Sequence, residues 1–233
     1  MSLLVLCPTH RRPIAARAVA DSFEKTKTIP RTHLTFLLYE KDQDSPAYLD
    51  SEDTPTVNVI LCPERLMVPR VNGALGLLEG YSHVGWIADD NRFETVGWDA
   101  MVTDALSQTP IVFCNDVVSP GSKPSHVFMD ARIPGALGWF LHPNLVSTFQ
   151  DDVWATLGVG PDVDTSGPLF NGVVRGERKG GVGIAYLGDV RVPHLYIEKD
   201  NSKDFANDML AYRHWVRHAA EGDIARARRV LRQ

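Results

Sequence analysis

One short segment, residues 84–93 (VGWIADDNRF), constrains this chain most, because an apolar run there ends abruptly in charged residues. The run at 84–88 is too short for a helix and predicts a buried strand. Asp89, Asp90 and Asn91 follow it directly. Open α/β sheets bind ligands at the carboxyl ends of their strands, and adjacent carboxylates favour a hard divalent cation between them. The segment therefore predicts a metal site; a solvated turn is the alternative.

Strand-like apolar runs alternate with helical patterns through the first 90 residues. In chain order, periodicity predicts a strand at 3–7, a helix at 13–25, strands at 34–39 and 57–62, and a helix at 70–78. Together with the strand at 84–88, this order is typical of a parallel sheet flanked by helices. The sequence therefore predicts an α/β fold.

The second half of the chain is less regular. Its patterns predict strands at 111–115, 184–187 and 190–192, and an arginine-rich helical stretch at 203–231 that Gly222 and Asp223 divide into two helices. Asp223 is expected to cap the second of these helices. The arginines predict either a solvated helix face or a surface for an anionic membrane or partner. No linker separates independent domains, so a single domain is expected.

Composition excludes several classes of protein. The 233 residues are 44% hydrophobic and 23% charged, which is ordinary for a soluble globular protein. The formal net charge of −5 argues against a general nucleic-acid binder. No apolar run approaches the roughly 18 residues of a membrane span, and the first residues lack the pattern of a signal peptide. Three widely spaced cysteines favour free thiols in a reducing cytoplasm over a disulfide framework.

Five segments, in order, resemble motifs of the family-two GT-A nucleotide-sugar glycosyltransferases. They are residues 3–13 (LLVLCPTHRRP, the opening strand and P-T-x-x-R-P turn), 69–73 (PRVNG, the A-R-N-x-G helix start), 86–91 (WIADDN, the acidic D-x-D strand end), 135–140 (GALGWF, the acceptor-site turn) and His194, the late histidine near the metal. The D-D-x-R segment, with Gly97, Trp98 and Asp99 behind it, also resembles phage-encoded glycosyltransferase-like proteins.

The resemblance implies a GT-A, Rossmann-like fold with a mostly parallel sheet flanked by helices. It places a single glycosyltransferase domain at 1–203, with a nucleotide-binding half at about 1–115 and an acceptor half at about 116–203, and leaves 204–233 as a C-terminal helical extension. The implied activity is metal-dependent transfer of a sugar, from a UDP-sugar foremost, to a hydroxyl of a glycan, a protein or a nucleobase. The implied cofactor is Mn²⁺ or Mg²⁺, which acts as a Lewis acid on the leaving diphosphate.

The same resemblance assigns site residues. The expected metal ligands are Asp89, Asp90, Asn91 and His194, with Asp90 foremost and Asp89 directed also to the ribose or sugar. Asn91 departs from the family pattern, because a neutral amide stands where the D-x-D frame expects a carboxylate. Metal affinity is therefore expected to be low. For His194 the alternative is an ordinary surface histidine after a proline turn.

The expected nucleotide-sugar contacts are Pro8, Thr9, Arg11, Glu40, Asp42, Arg70, Asn72 and Asp89, and the expected acceptor contacts are Gly138 and Trp139. Arg70 would hold a diphosphate oxygen with its planar fork of donors. Glu40 and Asp42 would accept hydrogen bonds from a uracil or ribose. The alternatives are a solvated arginine and a solvated acidic loop.

An inverting transfer also needs a base for the acceptor hydroxyl. The candidates are Asp151, Asp152, Asp162 and Asp164, and the spacing back from Tyr186 favours Asp162 or Asp164. Each is alternatively a structural loop acid. Inversion is favoured because no covalent sugar nucleophile stands out.

Two other functions stay open at this point. A nucleotidyltransferase would share the nucleotide-binding sheet, but it normally has a glycine-rich basic loop after the first strand, which is absent here. A non-catalytic binding protein on the same scaffold is compatible with Asn91. A Rossmann dehydrogenase is disfavoured, because no G-x-G-x-x-G follows the first strand.

Overall fold

The computed structural model describes residues 1–49, 55–146, 148–162, 180–195 and 202–233. The elements are, in chain order, β1 Leu3–Thr9, α1 Pro13–Thr26, β2 Thr32–Tyr39, α2 Ser45–Leu49, β3 Val57–Cys62, α3 Met67–Gly73, a 3₁₀ turn Ala74–Leu78, β4 His83–Trp86, α4 Trp98–Leu106, β5 Ile111–Asn115, β6 Val127–Asp130, α5 Arg132–Leu137, α6 Gln150–Val159, β7 Ile184–Arg191, α7 Ser202–His218 and α8 Ala220–Leu231.

The described strands form one mostly parallel sheet in the order β3-β2-β1-β4-β6-β5-β7. Strand β6 is antiparallel to both of its neighbours, and the remaining pairs are parallel. The carboxyl ends of β1, β4, β5 and β7 therefore meet at one edge, which we call the carboxyl edge. The expected single α/β domain is confirmed.

Alternate residues of the strands face two separate hydrophobic layers. Leu4 and Leu6 of β1 pack in one layer, and Leu3 and Val5 pack in the other. This two-residue period is what a strand covered on both faces requires. The cysteines Cys7, Cys62 and Cys114 are buried free thiols, as expected. In the described ranges, no helix combines the length and apolarity that a membrane span needs.

Several predicted boundaries were wrong. The helix predicted at 70–78 begins at Met67 and becomes a 3₁₀ turn at Ala74, and the two short strands predicted after residue 184 form the single strand β7. The C-terminal helices part at Ala219 rather than at Gly222. Asp223 consequently lies inside α8, where it accepts a hydrogen bond of 2.8 Å from Trp215 Nε1 instead of capping the helix.

Asp99, in the first turn of α4, fixes the connection between α1 and β2. Its carboxylate is fully buried and accepts hydrogen bonds from Thr28 N (2.9 Å), Ile29 N (2.7 Å) and the Thr32 hydroxyl (3.0 Å). The Thr28 hydroxyl donates as well, at 3.0 Å. A buried carboxylate is tolerated when donors surround it in this way. Asp99 therefore has a structural role in the described fold.

Candidate functional site

The acidic segment after β4 is held in a tight turn by Asn91. The Asn91 side chain is fully buried, and its Oδ1 accepts a hydrogen bond of 2.8 Å from Ala88 N. Its backbone N donates to Ala88 O at 3.1 Å, and its strand-like bridge to His194 joins the turn to the segment after β7. The amide oxygen that would bind a metal is thus engaged by the backbone.

Asp89 connects β4 to the turn after β1. Its Oδ2 accepts a hydrogen bond from the Thr9 hydroxyl at 2.8 Å, and its Oδ1 lies 2.5 Å from Arg12 Nη1. The residue is only 5% exposed. Both carboxylate oxygens therefore have protein partners, and Asp89 holds the two strand ends together.

Asp90 and His194 meet at the carboxyl edge. His194 Nε2 lies 3.0 Å from Asp90 Oδ1, and Arg12 Nη1 lies 3.9 Å from Asp90 Oδ2. The Asp90 side chain is 1% exposed, whereas that of His194 is 26% exposed. The structure thus brings together two of the predicted metal ligands from distant parts of the sequence.

The fit of this cluster to a metal is partial. Among the residues that the structure describes, no group of three or more histidine, cysteine, aspartate or glutamate side chains is arranged to hold a metal. Asp90 and His194 still offer an adjacent carboxylate and imidazole, a donor pair that suits Mn²⁺ better than Mg²⁺. The protein therefore fits a two-ligand site that phosphate oxygens and water would complete.

A cavity of about 250 Å³, which we call the donor cavity, opens between the ends of β1 and β4. Its lining residues are Pro8, Thr9, His10, Arg12, Arg65, Met67, Arg70, Trp86, Ala88 and Asp89. Four of the predicted nucleotide-sugar residues, Pro8, Thr9, Arg70 and Asp89, thus share one cavity. Besides Arg70, the basic side chains His10, Arg12 and Arg65 line this cavity, so it suits an anionic ligand.

Arg70 lines the donor cavity but is only 3% exposed, and its guanidinium donates hydrogen bonds to backbone carbonyls. Nη1 donates to Thr9 O (2.8 Å) and Leu37 O (3.0 Å), Nε donates to Glu64 O (3.0 Å), and Nη2 donates to Arg65 O. These contacts differ from both sequence-based expectations, a diphosphate ligand and a solvated arginine. Arg70 fixes the shape of the donor cavity.

Replacing Arg70 with methionine should lower the free energy of unfolding by about 3 kcal/mol, because several buried carbonyls lose a charged donor. Urea unfolding followed by circular dichroism measures this change. Arg17→Met on α1, a substitution distant from these carbonyls, is the control. A free-energy loss below about 1 kcal/mol for Arg70→Met would contradict the structural role.

The other predicted nucleotide contacts occupy varied positions. Asp42 is buried, and its Oδ2 accepts hydrogen bonds from Arg11 N (2.8 Å) and His10 Nδ1 (3.0 Å). Burial acts to raise the pKa of Asp42, but the hydrogen bonds from backbone amides and the nearby His10 lower it overall. Glu40 and the Arg11 side chain are exposed. The role of these residues toward a nucleotide stays a prediction.

Asn72 holds the segment that resembles the acceptor-site turn. Its Oδ1 accepts hydrogen bonds from Phe140 N (2.9 Å) and Leu141 N (3.0 Å), and its Nδ2 donates to Leu141 O (2.7 Å). The neighbouring Trp139 is 7% exposed and packs against Trp215. Gly138, with φ of 76°, is exposed and ends α5. A sugar would reach the Trp139 ring only if its neighbours moved aside.

A second cavity of about 340 Å³, which we call the acceptor cavity, lies on the other side of Trp86. Its lining residues are Trp86, Lys123, Ser125, Thr148, Phe149, Gln150, Asp151, Asp152, Trp154, His194 and Phe205. Trp86 lines both cavities, and His194 connects the acceptor cavity to Asp90. The two cavities therefore adjoin at the end of β4.

Two carboxylates face the acceptor cavity from the first turn of α6. Lys123 Nζ lies 3.1 Å from Asp152 Oδ1 and 4.0 Å from Asp151 Oδ2. Asp151 is partly buried at the cavity wall, and this burial together with the charge of the adjacent Asp152 raises the pKa of Asp151 to about 6. A carboxyl with such a pKa suits proton transfer near neutral pH.

Asp162, one of the two favoured sequence candidates for the base, lies away from the acceptor cavity. Asp162 is exposed and follows the end of α6, where Val182 N donates to Leu157 O and Gly183 N to Gly158 O. Strand β7 begins immediately after Gly183, so this end of α6 lies at the edge of the sheet opposite the cavity. Asp151 and Asp152 lie in the first turn of α6, and the helix carries the chain away from the cavity before it reaches Asp162. The role of Asp162 as the base stays a prediction. Asp164 lies outside the described residues.

Sequence reasoning missed four polar residues around the site. Arg12 lies beside the carboxylates of Asp89 and Asp90, and Lys123 lies beside those of Asp151 and Asp152. Asp116 accepts hydrogen bonds from Ser119 N (2.7 Å) and the Ser125 hydroxyl (2.9 Å), and so shapes the loop that carries Lys123. His126 is buried, and burial lowers its pKa to about 3. Two signals were available beforehand: Arg12 is the arginine of the P-T-x-x-R-P turn, and Asp116 follows the end of a strand.

Comparison with known proteins rests on structure alone, because no family model and no curated protein matches this sequence. Mannosyltransferase PcManGT from Pyrobaculum calidifontis, in complex with GDP-Man and Mn²⁺, is similar with a TM-score of 0.64 and 11% identity, over 97% of this chain and 72% of that one. TarS from S. aureus is similar with a TM-score of 0.62 and 13% identity, over 92% of this chain and 39% of that one.

A TarS 1-349 structure in complex with UDP-GlcNAc gives a TM-score of 0.59 at 11% identity and covers 90% of this chain and 64% of that chain. This chain thus spans well under two thirds of the longer TarS chain and slightly less than two thirds of the TarS 1-349 chain. The shared architecture extends over nearly all of this chain. The chain has the GT-A fold of nucleotide-sugar glycosyltransferases.

Proposed function

We propose that this protein is a metal-dependent glycosyltransferase that moves a sugar from a nucleoside diphosphate sugar to an acceptor hydroxyl with inversion. The observation that carries the proposal is the pair of cavities that adjoin at Trp86, one basic and one acidic. Transfer requires a donor and an acceptor to be bound side by side. The complexes of the structural neighbours with GDP-Man, UDP and UDP-GlcNAc support a donor of this class.

The donor cavity supplies the groups that a nucleoside diphosphate needs. His10, Arg12 and Arg65 line it and provide donors for phosphate oxygens. Asp90 and His194, close to where the two cavities adjoin, would hold Mn²⁺ or Mg²⁺. When bound, the cation would neutralise the negative charge that develops on the leaving diphosphate.

Asp151 is our choice for the base, because it lines the acceptor cavity and has a raised pKa. Its carboxylate accepts the proton of the acceptor hydroxyl as that oxygen bonds to the anomeric carbon. The bond from that carbon to the phosphate oxygen breaks, and its electron pair leaves with the nucleoside diphosphate. Attack from the face opposite the leaving group inverts the anomeric centre. Lys123 positions the acidic pair.

The rate of transfer should depend on the ionisation of Asp151. A base acts in its deprotonated form, so kcat/KM should rise with pH through about 6 and then level off. Initial rates across this range measure the profile, with donor binding at each pH as the control. A profile centred near pH 4, the ordinary range of a carboxyl group, would contradict this assignment.

A thermal-shift panel tests the proposed function. UDP-GlcNAc, UDP-glucose and GDP-mannose are added with and without Mn²⁺ to the natural protein and to Asp90→Ala. At a concentration 100 times Kd, one donor with Mn²⁺ should raise Tm by roughly 5–10 °C, and Asp90→Ala should abolish that shift. Asp104→Ala, an exposed acid on α4, should retain it.

The alternative is a non-catalytic nucleotide-sugar-binding protein on the same scaffold. It is favoured by the engagement of Asn91 in its turn, which leaves two metal-ligand side chains where a stronger site would have three. Release of nucleoside diphosphate from the bound donor, measured with and without Mn²⁺, separates the two functions. A thermal shift without any turnover would favour the binding protein.

A further inference from the structure

The acidic pair at the end of β4 is already balanced by positive charge from the protein. Arg12 Nη1 lies 2.5 Å from Asp89 Oδ1 and 3.9 Å from Asp90 Oδ2. Arg92 lies beside the same turn, and its Nη1 donates to Asn91 O at 2.6 Å and to Asp89 O at 3.3 Å. Two buried carboxylates thus face two guanidinium groups, and their formal charges cancel.

A divalent cation gains little from approaching such a cluster. Charges act strongly on each other in a buried site, so a nearby guanidinium lowers the affinity of Asp90 for a second cation. Removal of the cation from water is costly and needs compensation from negative groups. A nucleoside diphosphate would bring this missing negative charge.

Arg12 is placed to respond to that ligand, whereas Arg92 is held by backbone carbonyls. Arg12 lines the donor cavity and keeps 25% of its side chain exposed. Its reach therefore includes both the acidic pair and the position that we propose for the diphosphate. A guanidinium can exchange a carboxylate for a phosphate with little change in its hydrogen bonding.

We propose that Arg12 is an internal counter-ion that keeps divalent cations from Asp90 until a nucleoside diphosphate binds. The inference rests on the proposed function. When the diphosphate arrives, Arg12 turns from Asp89 toward the phosphate oxygens, and the uncovered negative charge attracts the cation. Cation and donor binding are coupled through this one side chain, and by linkage each raises the affinity of the other.

Mn²⁺ titration followed by electron paramagnetic resonance tests this coupling without turnover. The natural protein, Arg12→Gln, Arg12→Lys and Arg17→Gln are titrated alone and with saturating UDP or GDP. For the natural protein, the nucleotide should tighten Mn²⁺ binding by about 10-fold or more, within the usual range of coupling between sites. Arg12→Gln should bind Mn²⁺ roughly 5- to 10-fold more tightly when alone, and it should lose most of the effect of the nucleotide.

The two remaining variants separate charge from fold. Arg12→Lys keeps the charge and should resemble the natural protein. Arg17→Gln removes an exposed charge on α1, outside the donor cavity, and should change nothing. Arg12→Met, which keeps the aliphatic packing, replaces Arg12→Gln if that variant does not fold. If the uncharged Arg12 variant, without nucleotide, bound Mn²⁺ no more tightly than the natural protein, this inference would be overturned and the proposed function would be unaffected. Absence of Mn²⁺ binding from every protein, with either nucleotide, would contradict the proposed function as well.

Discussion

Replacement of Asp151 with asparagine should lower the turnover number for sugar transfer by about 10²–10⁴-fold, the range expected when a general base is lost. Asparagine keeps the size of the side chain but cannot accept the acceptor proton. The donor cavity lies on the far side of Trp86 and should be undisturbed. Donor affinity, measured by calorimetry with Mn²⁺, should therefore stay within about twofold, since the substitution leaves donor contacts intact.

Two neighbouring acids provide matched controls for this result. Asp162→Asn alters an exposed residue at the opposite end of α6 and should leave turnover unchanged. Asp152→Asn removes the carboxylate that is closest to Lys123, so it should alter the pH profile more than the maximum rate. If Asp162→Asn abolished transfer while Asp151→Asn did not, the result would support Asp162 as the base and contradict the choice of Asp151.

Replacement of Asp99 with alanine should lower the free energy of unfolding by about 3–5 kcal/mol. The change leaves the amides of Thr28 and Ile29 and the Thr32 hydroxyl without their acceptor. Buried donors that lose a charged acceptor cost the full desolvation penalty of each group. For a chain of this size, the melting temperature should fall by roughly 10 °C or more.

Calorimetry of Asp99→Ala beside Asp104→Ala isolates this contribution. Both residues lie on α4, but Asp104 is exposed and its replacement should change stability by less than about 0.5 kcal/mol. Asp99→Asn should fall between the two, because its amide oxygen accepts some of the same hydrogen bonds. Equal stability of the two alanine variants would show that water replaces the Asp99 carboxylate.

The first half of the fold was predictable because its strands are buried on both faces and read as continuous apolar runs. Strands β1 to β4 follow this rule, and their order along the chain indicated a parallel sheet. The second half contains short elements, such as β6 with four residues and α5 with six. Such elements are stabilised by neighbours that are remote in sequence, so local periodicity does not reveal them.

The site was predictable only where strand ends define it. Asp89 and Asp90 follow a strand, and Asp90 lies 3.0 Å from His194 Nε2, close to the position expected for the late histidine. The direction of a side chain is a tertiary property, so the engagement of Arg70 with carbonyls was invisible in the sequence. Loop spacing does not give the length or direction of α6, so the position of Asp162 relative to the acceptor cavity was not predictable.

The single indole that lies between the two cavities has an evolutionary consequence. Trp86 is the last residue of β4, and three residues later the chain reaches the acids. A smaller side chain there would enlarge both cavities at once. Under the proposed function, a mutation that admits a bulkier donor sugar would therefore also loosen the fit of the acceptor. Related proteins that prefer a different donor sugar should therefore also prefer a different acceptor. A substitution at the position of Trp86 should accompany such a joint change.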